Sequence, residues 1–256
     1  MTPDISVVVP LRDEERNVVP LHEELTAAIA PLGVPYELIL VDDGSEDGTF
    51  ARLTEAYARD PHVRVIQFTR NFGQTAAFAA GFSHARGRFI VTSDGDLQND
   101  PADIPRLLQL ARDHDIVCGW RKDRKDALLT RQLPSGVANW LLTMVTGIRL
   151  HDNGCSLKVF RSEVVKPLSL TPGMHRYLPA LASQLGGRVA EVVVNYRPRR
   201  FGHSKYGLSR TFGVLRDIVQ LRRLMRRAID PATERPRLYE IRQILETSAA
   251  KSTKTV

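Results

Sequence analysis

Phe89-Ile90-Val91-Thr92-Ser93-Asp94-Gly95-Asp96 is an apolar run that ends in two carboxylates around a glycine. Residues 89–92 read as a buried strand, and the segment after them as the turn that stops it. Carboxylates at i and i+2 repel each other unless a divalent cation or several donors sit beside them. All-oxygen ligation suits Mg²⁺ or Mn²⁺, and Gln98 adds a neutral carbonyl oxygen two residues on. Taken alone, the motif is equally a surface turn capping the helix that Pro101 opens.

The same layout recurs upstream. Residues 5–9 form a β-branched strand that Pro10 closes, and residues 14–30 carry Val18, Leu21, Leu25 and Ile29 at helical spacing. Residues 38–41 are a second strand, ending in Asp42-Asp43-Gly44-Ser45. Ser45 or Asp47 caps a helix through Tyr57. Residues 63–68 and 116–118 are further strands, and 73–85 an alanine-rich helix. Strand and helix in alternation predict an α/β fold with a mostly parallel sheet flanked by helices. Ligands bind beyond the carboxyl ends of such strands, where both acidic turns fall. Asp42 and Asp43 there either accept hydrogen bonds from a nucleoside or close a capped turn.

After Arg121 the alternation stops. Helices are expected over 133–145 and 175–185, and strands over 157–160 and 189–194. Residues 196–207 form a basic loop. Residues 209–227 form an amphipathic helix with Phe212, Leu215, Ile218, Val219 and Met225 against six arginines. The organisation expected is a catalytic domain over 1–208, the basic helix over 209–229 and a flexible polar tail over 230–256.

The 256 residues are 43% hydrophobic and 25% charged, an ordinary soluble composition. Cys118 and Cys155 lack the count and spacing of a disulfide or metal framework and read as reduced, buried thiols. The first residues lack the pattern of a signal peptide, and no apolar run approaches the ~20 residues that span a bilayer. Of the net charge of +7, residues 196–227 hold ten Lys or Arg against Asp217 alone. Such a block fits phosphate, an anionic membrane surface or a solvated helix face.

Residues 8–17 (Val-Val-Pro-Leu-Arg-Asp-Glu-Glu-Arg-Asn), Val41-Asp42-Asp43-Gly44-Ser45, Arg70-Asn71-Phe72-Gly73-Gln74 and Asp94-Gly95-Asp96-Leu97-Gln98 together resemble family 2 inverting glycosyltransferases. The branch resembled uses polyprenyl-phosphate acceptors, as dolichyl-phosphate mannose synthase and the undecaprenyl-phosphate glucosyl- and aminoarabinosyltransferases do. The likeness runs over residues 4–225. It implies a GT-A, Rossmann-like single domain in which Pro10, Glu14, Asp42, Asp43 and Asp94 bind the nucleotide-sugar. Asp96 and Gln98 would hold the metal. Gly119-Trp120-Arg121 resembles a motif whose arginine lies near the phosphates, and 151–158 resembles an acceptor-side motif. Residues 199–205 resemble a basic loop. Arg121, Arg131, Ser135, Arg200, Ser204 and Lys205 would bind the acceptor phosphate, with Asp152, Asp94 and Arg121 in the catalytic set.

The chemistry agrees with that implication. A leaving diphosphate needs cations, and a phosphate-monoester acceptor is already an anionic nucleophile near pH 7. Asp152 then either orients the acceptor or acts as base. The expected function is transfer of a sugar from a UDP- or GDP-sugar to a polyprenyl phosphate at the cytoplasmic face of the membrane. A sugar, polysaccharide or protein acceptor is the alternative. The basic block also raises a nucleic-acid binder, for which no motif is present. Helix 209–227 lies on an anionic leaflet, packs on the domain or meets a membrane partner protein.

Overall fold

The computed structural model describes residues 2–122, 143–144, 147–201, 226–230 and 238–246. Eight strands form one sheet: β1 (Ile5–Leu11), β2 (Tyr36–Asp42), β3 (Val63–Phe68), β4 (Phe89–Thr92), β5 (Ile116–Trp120), β6 (Lys158–Arg161), β7 (Val189–Val193) and β8 (Ile241–Leu245). Their order is β7-β5-β6-β4-β1-β2-β3-β8. The pairs β1–β2, β1–β4, β2–β3 and β5–β7 are parallel, while β6 runs antiparallel to β4 and β5, and β8 to β3.

Strand side chains alternate between two cores because successive residues point to opposite faces. Val7, Val9, Leu38, Leu40, Val63 and Val65 meet Val18, Leu21, Leu25 and Ile29 of α1 (Glu15–Ile29), Leu53 of α2 (Thr49–Arg59) and Leu107 of α4 (Ile104–Leu110). Val8, Ile39, Val41, Ile66 and Phe68 meet α3 (Gln74–His84), α5 (Ser162–Val165) and α6 (Leu178–Ser183). Burying one such side chain is worth roughly 1.5–3 kcal/mol. α3 lies close against the sheet through its small residues. A Cβ on Gly81 would stand 2.1 Å from Cγ1 of Val8.

Three expectations change. Pro10 does not end β1; it pairs in register with Val41, and the strand reaches Leu11. Backbone groups of odd-numbered residues in β1 face β2, as the Leu11 carbonyl does in accepting from Asp43, whereas the Val8 carbonyl faces β4 and accepts from Ser93. Pro10 therefore turns its missing N–H toward the side where β4 has already ended, and the sheet loses no bond. The helix expected over 175–185 divides into a 3₁₀ turn, Met174–Tyr177, and α6. The tail expected to be flexible from Asp230 instead supplies β8, whose Glu246 pairs with Arg64 at 2.7 Å while Tyr239 stacks on Phe68 at 5.1 Å.

Helix 133–145 and helix 209–227 lie almost wholly outside the described residues, as do Arg131, Ser135, Ser204 and Lys205. Among the described residues no helix is long and apolar enough to cross a membrane.

Candidate active site

The topology gathers the chemistry at one end of the sheet. The carboxyl ends of β1, β2, β3 and β4 lie together because these strands are parallel. β6 runs the other way, so its amino end joins them, followed by the carboxyl ends of β5 and β7.

Two loops interlock beyond β1 and β2. The Asp13 amide donates to Ser45 Oγ at 3.0 Å, the Glu46 amide to Asp13 Oδ1 at 2.9 Å and the Glu14 amide to Thr49 Oγ1 at 2.8 Å. Ser45 thus serves the β1 loop, and the Asp47 carboxylate accepts the Thr49 amide at the start of α2. Asp13 holds φ of 48°, strain that clusters at functional loops. Gly44, at φ of 67°, leaves no room for a side chain: a Cβ would lie 2.3 Å from the Arg70 carbonyl carbon. Asp42 is fully buried. Its Oδ1 accepts the Ser45 amide at 3.1 Å, while Oδ2 has no hydrogen-bond partner among the described residues. A buried carboxylate oxygen left without a donor is costly, and a ligand N–H or hydroxyl would satisfy it.

Asp43 has a different role from its neighbour. Its carboxylate accepts the Phe72 amide at 2.7 Å and the Gly73 amide at 2.9 Å. Burial raises its pKa, outweighing those two bonds. This clamp sets the first residue of α3, Gln74, whose Nε2 donates to Asp94 Oδ1 at 2.7 Å.

Asp94 and Asp96 stand beyond β4 on a turn whose Leu97 is buried with φ of 61°. Asp96 Oδ1 accepts the Gln98 amide at 3.2 Å, and Oδ2 meets Arg199 Nη2 at 2.6 Å. Arg199 Nη1 also lies 3.6 Å from Glu14 Oε1. Burial, followed by the Asp94 charge, pushes the Asp96 pKa up to about 6 against the opposing pull of Arg199. The pair is thus under-compensated. Hard oxygen donors in that state fit Mg²⁺ or Mn²⁺. Among the described residues no group of three or more His, Cys, Asp or Glu side chains forms a metal cage. An ion held here would complete its shell with water and ligand oxygens. The Gln98 amide nitrogen donates to the Tyr196 hydroxyl at 2.7 Å, which orients the side chain whose carbonyl was the expected ligand.

On the other flank, Arg121 and Asp152 form a bidentate pair at 2.7 and 2.9 Å. Burial opposes the charge on Asp152, but Arg121 outweighs it and holds the carboxyl below its ordinary range. Gly154 donates to the same carboxylate, and a Cβ there would lie 3.2 Å from Arg121 Nη2. The Tyr196 ring lies 5.2 Å below the Arg121 guanidinium. His151 stacks on Trp120 at 4.2 Å and meets Glu191 through Nδ1 at 2.8 Å.

Among the described residues, the expected set is brought to one edge with one exception; Arg131, Ser135, Ser204 and Lys205 lie outside them. Arg200 reaches Glu24 of α1 at 3.7 Å, not the acidic set. Its neighbour Arg199, together with Gln74 and Tyr196, has no role assigned from the sequence, although Gln74 closes the 70–74 motif and Arg199 opens the basic loop. Arg199 was one of several arginines in a basic run. Only the backbone of 195–197 chooses it: Asn195 bonds Asp103, Tyr196 bridges Asn99 and the Arg197 amide donates to the Gln98 carbonyl.

The model of glycosyl transferase family 2 matches residues 6–168, which carry the Asp42, Asp94 and Asp152 segments. The chain belongs to glycosyl transferase family 2. A relative from Rhizobium johnstonii, described as dodecaprenyl-phosphate galacturonate synthase, is 45% identical over 87% of this chain and 68% of its own length. An undecaprenyl-phosphate 4-deoxy-4-formamido-L-arabinose transferase from Yersinia pestis is 37% identical over 84% of the chain and 66% of its own. The chain thus spans about two thirds of the length of these relatives. Among solved structures, glucosyl-3-phosphoglycerate synthase from Mycobacterium tuberculosis, with Mn²⁺, UDP-glucose and phosphoglyceric acid, aligns at TM-score 0.63. It is 20% identical over 87% of this chain and 79% of its own. A Pyrobaculum calidifontis mannosyltransferase with GDP-mannose and Mn²⁺ aligns at 0.55, with 20% identity over 78% of this chain and 59% of its own. These likenesses establish the GT-A fold for this family 2 glycosyltransferase.

Proposed function

We propose that this glycosyltransferase moves a sugar from a UDP- or GDP-sugar to a polyprenyl phosphate, with a divalent cation at Asp94 and Asp96. The observation that carries the reading is the pair of half-buried carboxylates, Asp94 and Asp96, held on one turn beyond β4. The names of the relatives, both acting with polyprenyl phosphates, support the acceptor. The metal-bearing complexes of the fold neighbours support Mg²⁺ or Mn²⁺.

In this reading Asp42 Oδ2 accepts from the nucleoside, with Pro10 and Glu14 along the same wall. Asp94, held by Gln74, and Asp96, with the Gln98 carbonyl, hold the cation. A cation bound there would supply positive charge to offset that of a leaving diphosphate. Arg121 binds phosphate, its planar fork fixed by Asp152. An anionic acceptor needs positioning more than deprotonation. Asp152, held strongly ionised by Arg121, is therefore assigned to orientation and not to proton abstraction. Arg131, Ser135, Arg200, Ser204 and Lys205 are assigned to the acceptor side by family resemblance. The enzyme would work peripherally at the cytoplasmic membrane face.

Incubation with radiolabelled UDP- or GDP-sugars, polyprenyl phosphate and Mn²⁺ tests this. Organic-extractable label, lost in a folded Asp96→Ala variant, is expected. Retained transfer by that variant overturns the metal assignment. Label appearing only on a sugar, polysaccharide or protein overturns the acceptor.

A further inference from the structure

We propose that Arg199 is a resident counter-cation of the acidic turn, which the divalent ion must displace and which thereby sets that ion's affinity. This rests on the reading of Asp94 and Asp96 as the metal carboxylates.

The guanidinium occupies the position a cation would take. Arg199 Nη2 lies 2.6 Å from Asp96 Oδ2, and Nη1 lies 3.6 Å from Glu14 Oε1, so one charge serves two carboxylates from the separate loops that follow β4 and β1. All three side chains are largely shielded, at 19% exposure for Arg199, 13% for Asp96 and 11% for Glu14, which strengthens the attraction. The other oxygen of Asp96 is already engaged by the Gln98 amide. Oδ2 is therefore the direction from which Asp96 would reach a metal. Ligation needs about 2.0–2.2 Å, closer than the arginine contact, and brings two positive groups together. The two occupants exclude each other electrostatically.

The backbone keeps Arg199 nearby after displacement. The Arg197 amide is fixed to the Gln98 carbonyl at 2.9 Å, and the Arg197 side chain to Asp100 and Glu24 at 2.6 and 2.7 Å. Only the Arg199 side chain must turn. It then becomes a free guanidinium beside the anionic oxygens that arrive with the cation. The same residue suppresses binding of a bare ion and supports binding of an ion that brings phosphate.

The test measures binding of Mn²⁺ alone to the full chain, by the electron paramagnetic resonance signal of the free ion. Arg199→Met is expected to bind Mn²⁺ about tenfold more tightly than the native chain, the scale of one partly buried charge pair. Its melting temperature without metal should fall and then rise on adding Mn²⁺ by more than that of the native chain. If Arg199→Met does not fold, Arg199→Lys serves, with an expected rise of about threefold because a point charge cannot span both carboxylates. Equal Mn²⁺ affinity in variant and native chain, abolished in both by Asp96→Ala, overturns the inference and leaves the metal site standing. Absence of saturable binding in every form, or binding indifferent to Asp96→Ala, removes the metal site and the inference with it.

Discussion

Asp43 is joined to Gly73 across the top of the sheet: the carboxylate beyond β2 accepts the amide that opens α3 at 2.9 Å. The residue next to the buried Asp42 is therefore a clamp for Gln74, and through Gln74 for Asp94. Replacing Asp43 by Ala leaves two partly buried amides short of an acceptor, a loss of about 1 kcal/mol or more. We expect kcat to fall with little change in nucleotide affinity, since Asp42 still stands. Comparison of kcat with the dissociation constant of UDP or GDP checks this; a loss confined to nucleotide binding would contradict the clamp.

Arg121 and Asp152 act as one unit in this geometry. Arg121→Ala and Asp152→Ala should each lower kcat/KM by about 10²–10³, and the double variant should be little worse than either. Additive losses, or a pH–rate profile whose acidic limb disappears in Asp152→Asn with Arg121 intact, would restore Asp152 to the role of base.

Glu37 lies at the opposite end of the sheet, bonded by Ser6 at 2.6 Å, Arg64 at 2.8 Å and Arg86 at 3.0 Å. Burial favours its neutral form, but these donors outweigh it and lower its pKa. The stability it contributes is full above the ordinary glutamate value of ~4.3 and is lost as pH falls through the lower folded value. Urea melts should show a stability loss in Glu37→Gln of about 3 kcal/mol at pH 7, because Arg64 loses its buried partner and keeps only the half-exposed Glu246. The gap to the native chain should narrow below pH 4. A pH-independent gap would exclude this account.

β8 covers the outer edge of β3, so its removal exposes a row of unpaired backbone groups and uncovers Phe68. Deleting residues 238–256 should lower stability by at least ~2 kcal/mol and promote self-association. Size-exclusion chromatography and urea unfolding read both effects. An unchanged monomer of equal stability would show that the strand is dispensable.

The apolar runs were enough to place β1 to β4, because a doubly covered parallel strand is written largely as Val, Ile and Leu, and the acid that follows β2 and β4 marked the edge where Asp42, Asp94 and Asp96 stand. β8 was not legible. Ile241-Arg242-Gln243-Ile244-Leu245 lies in a polar tail, and its pairing with β3 depends on a partner strand more than 170 residues away. Pro10 misled for a local reason: the rule against proline inside a sheet depends on which side its nitrogen faces. Arg199 and Arg200 are adjacent and chemically identical, so no one-dimensional signal could assign one to Asp96 and the other to Glu24.

Leu97 gives the acidic turn a thermodynamic character of its own. A leucine with φ of 61° is held there because its side chain is sealed in the core beneath β1 and β4. The Asp94 and Asp96 carboxylates are thereby fixed when the domain folds, and little rotational freedom remains for a ligand to remove. Binding at this turn should show a small entropic penalty, with its free energy set by the enthalpy of exchanging one cation for another.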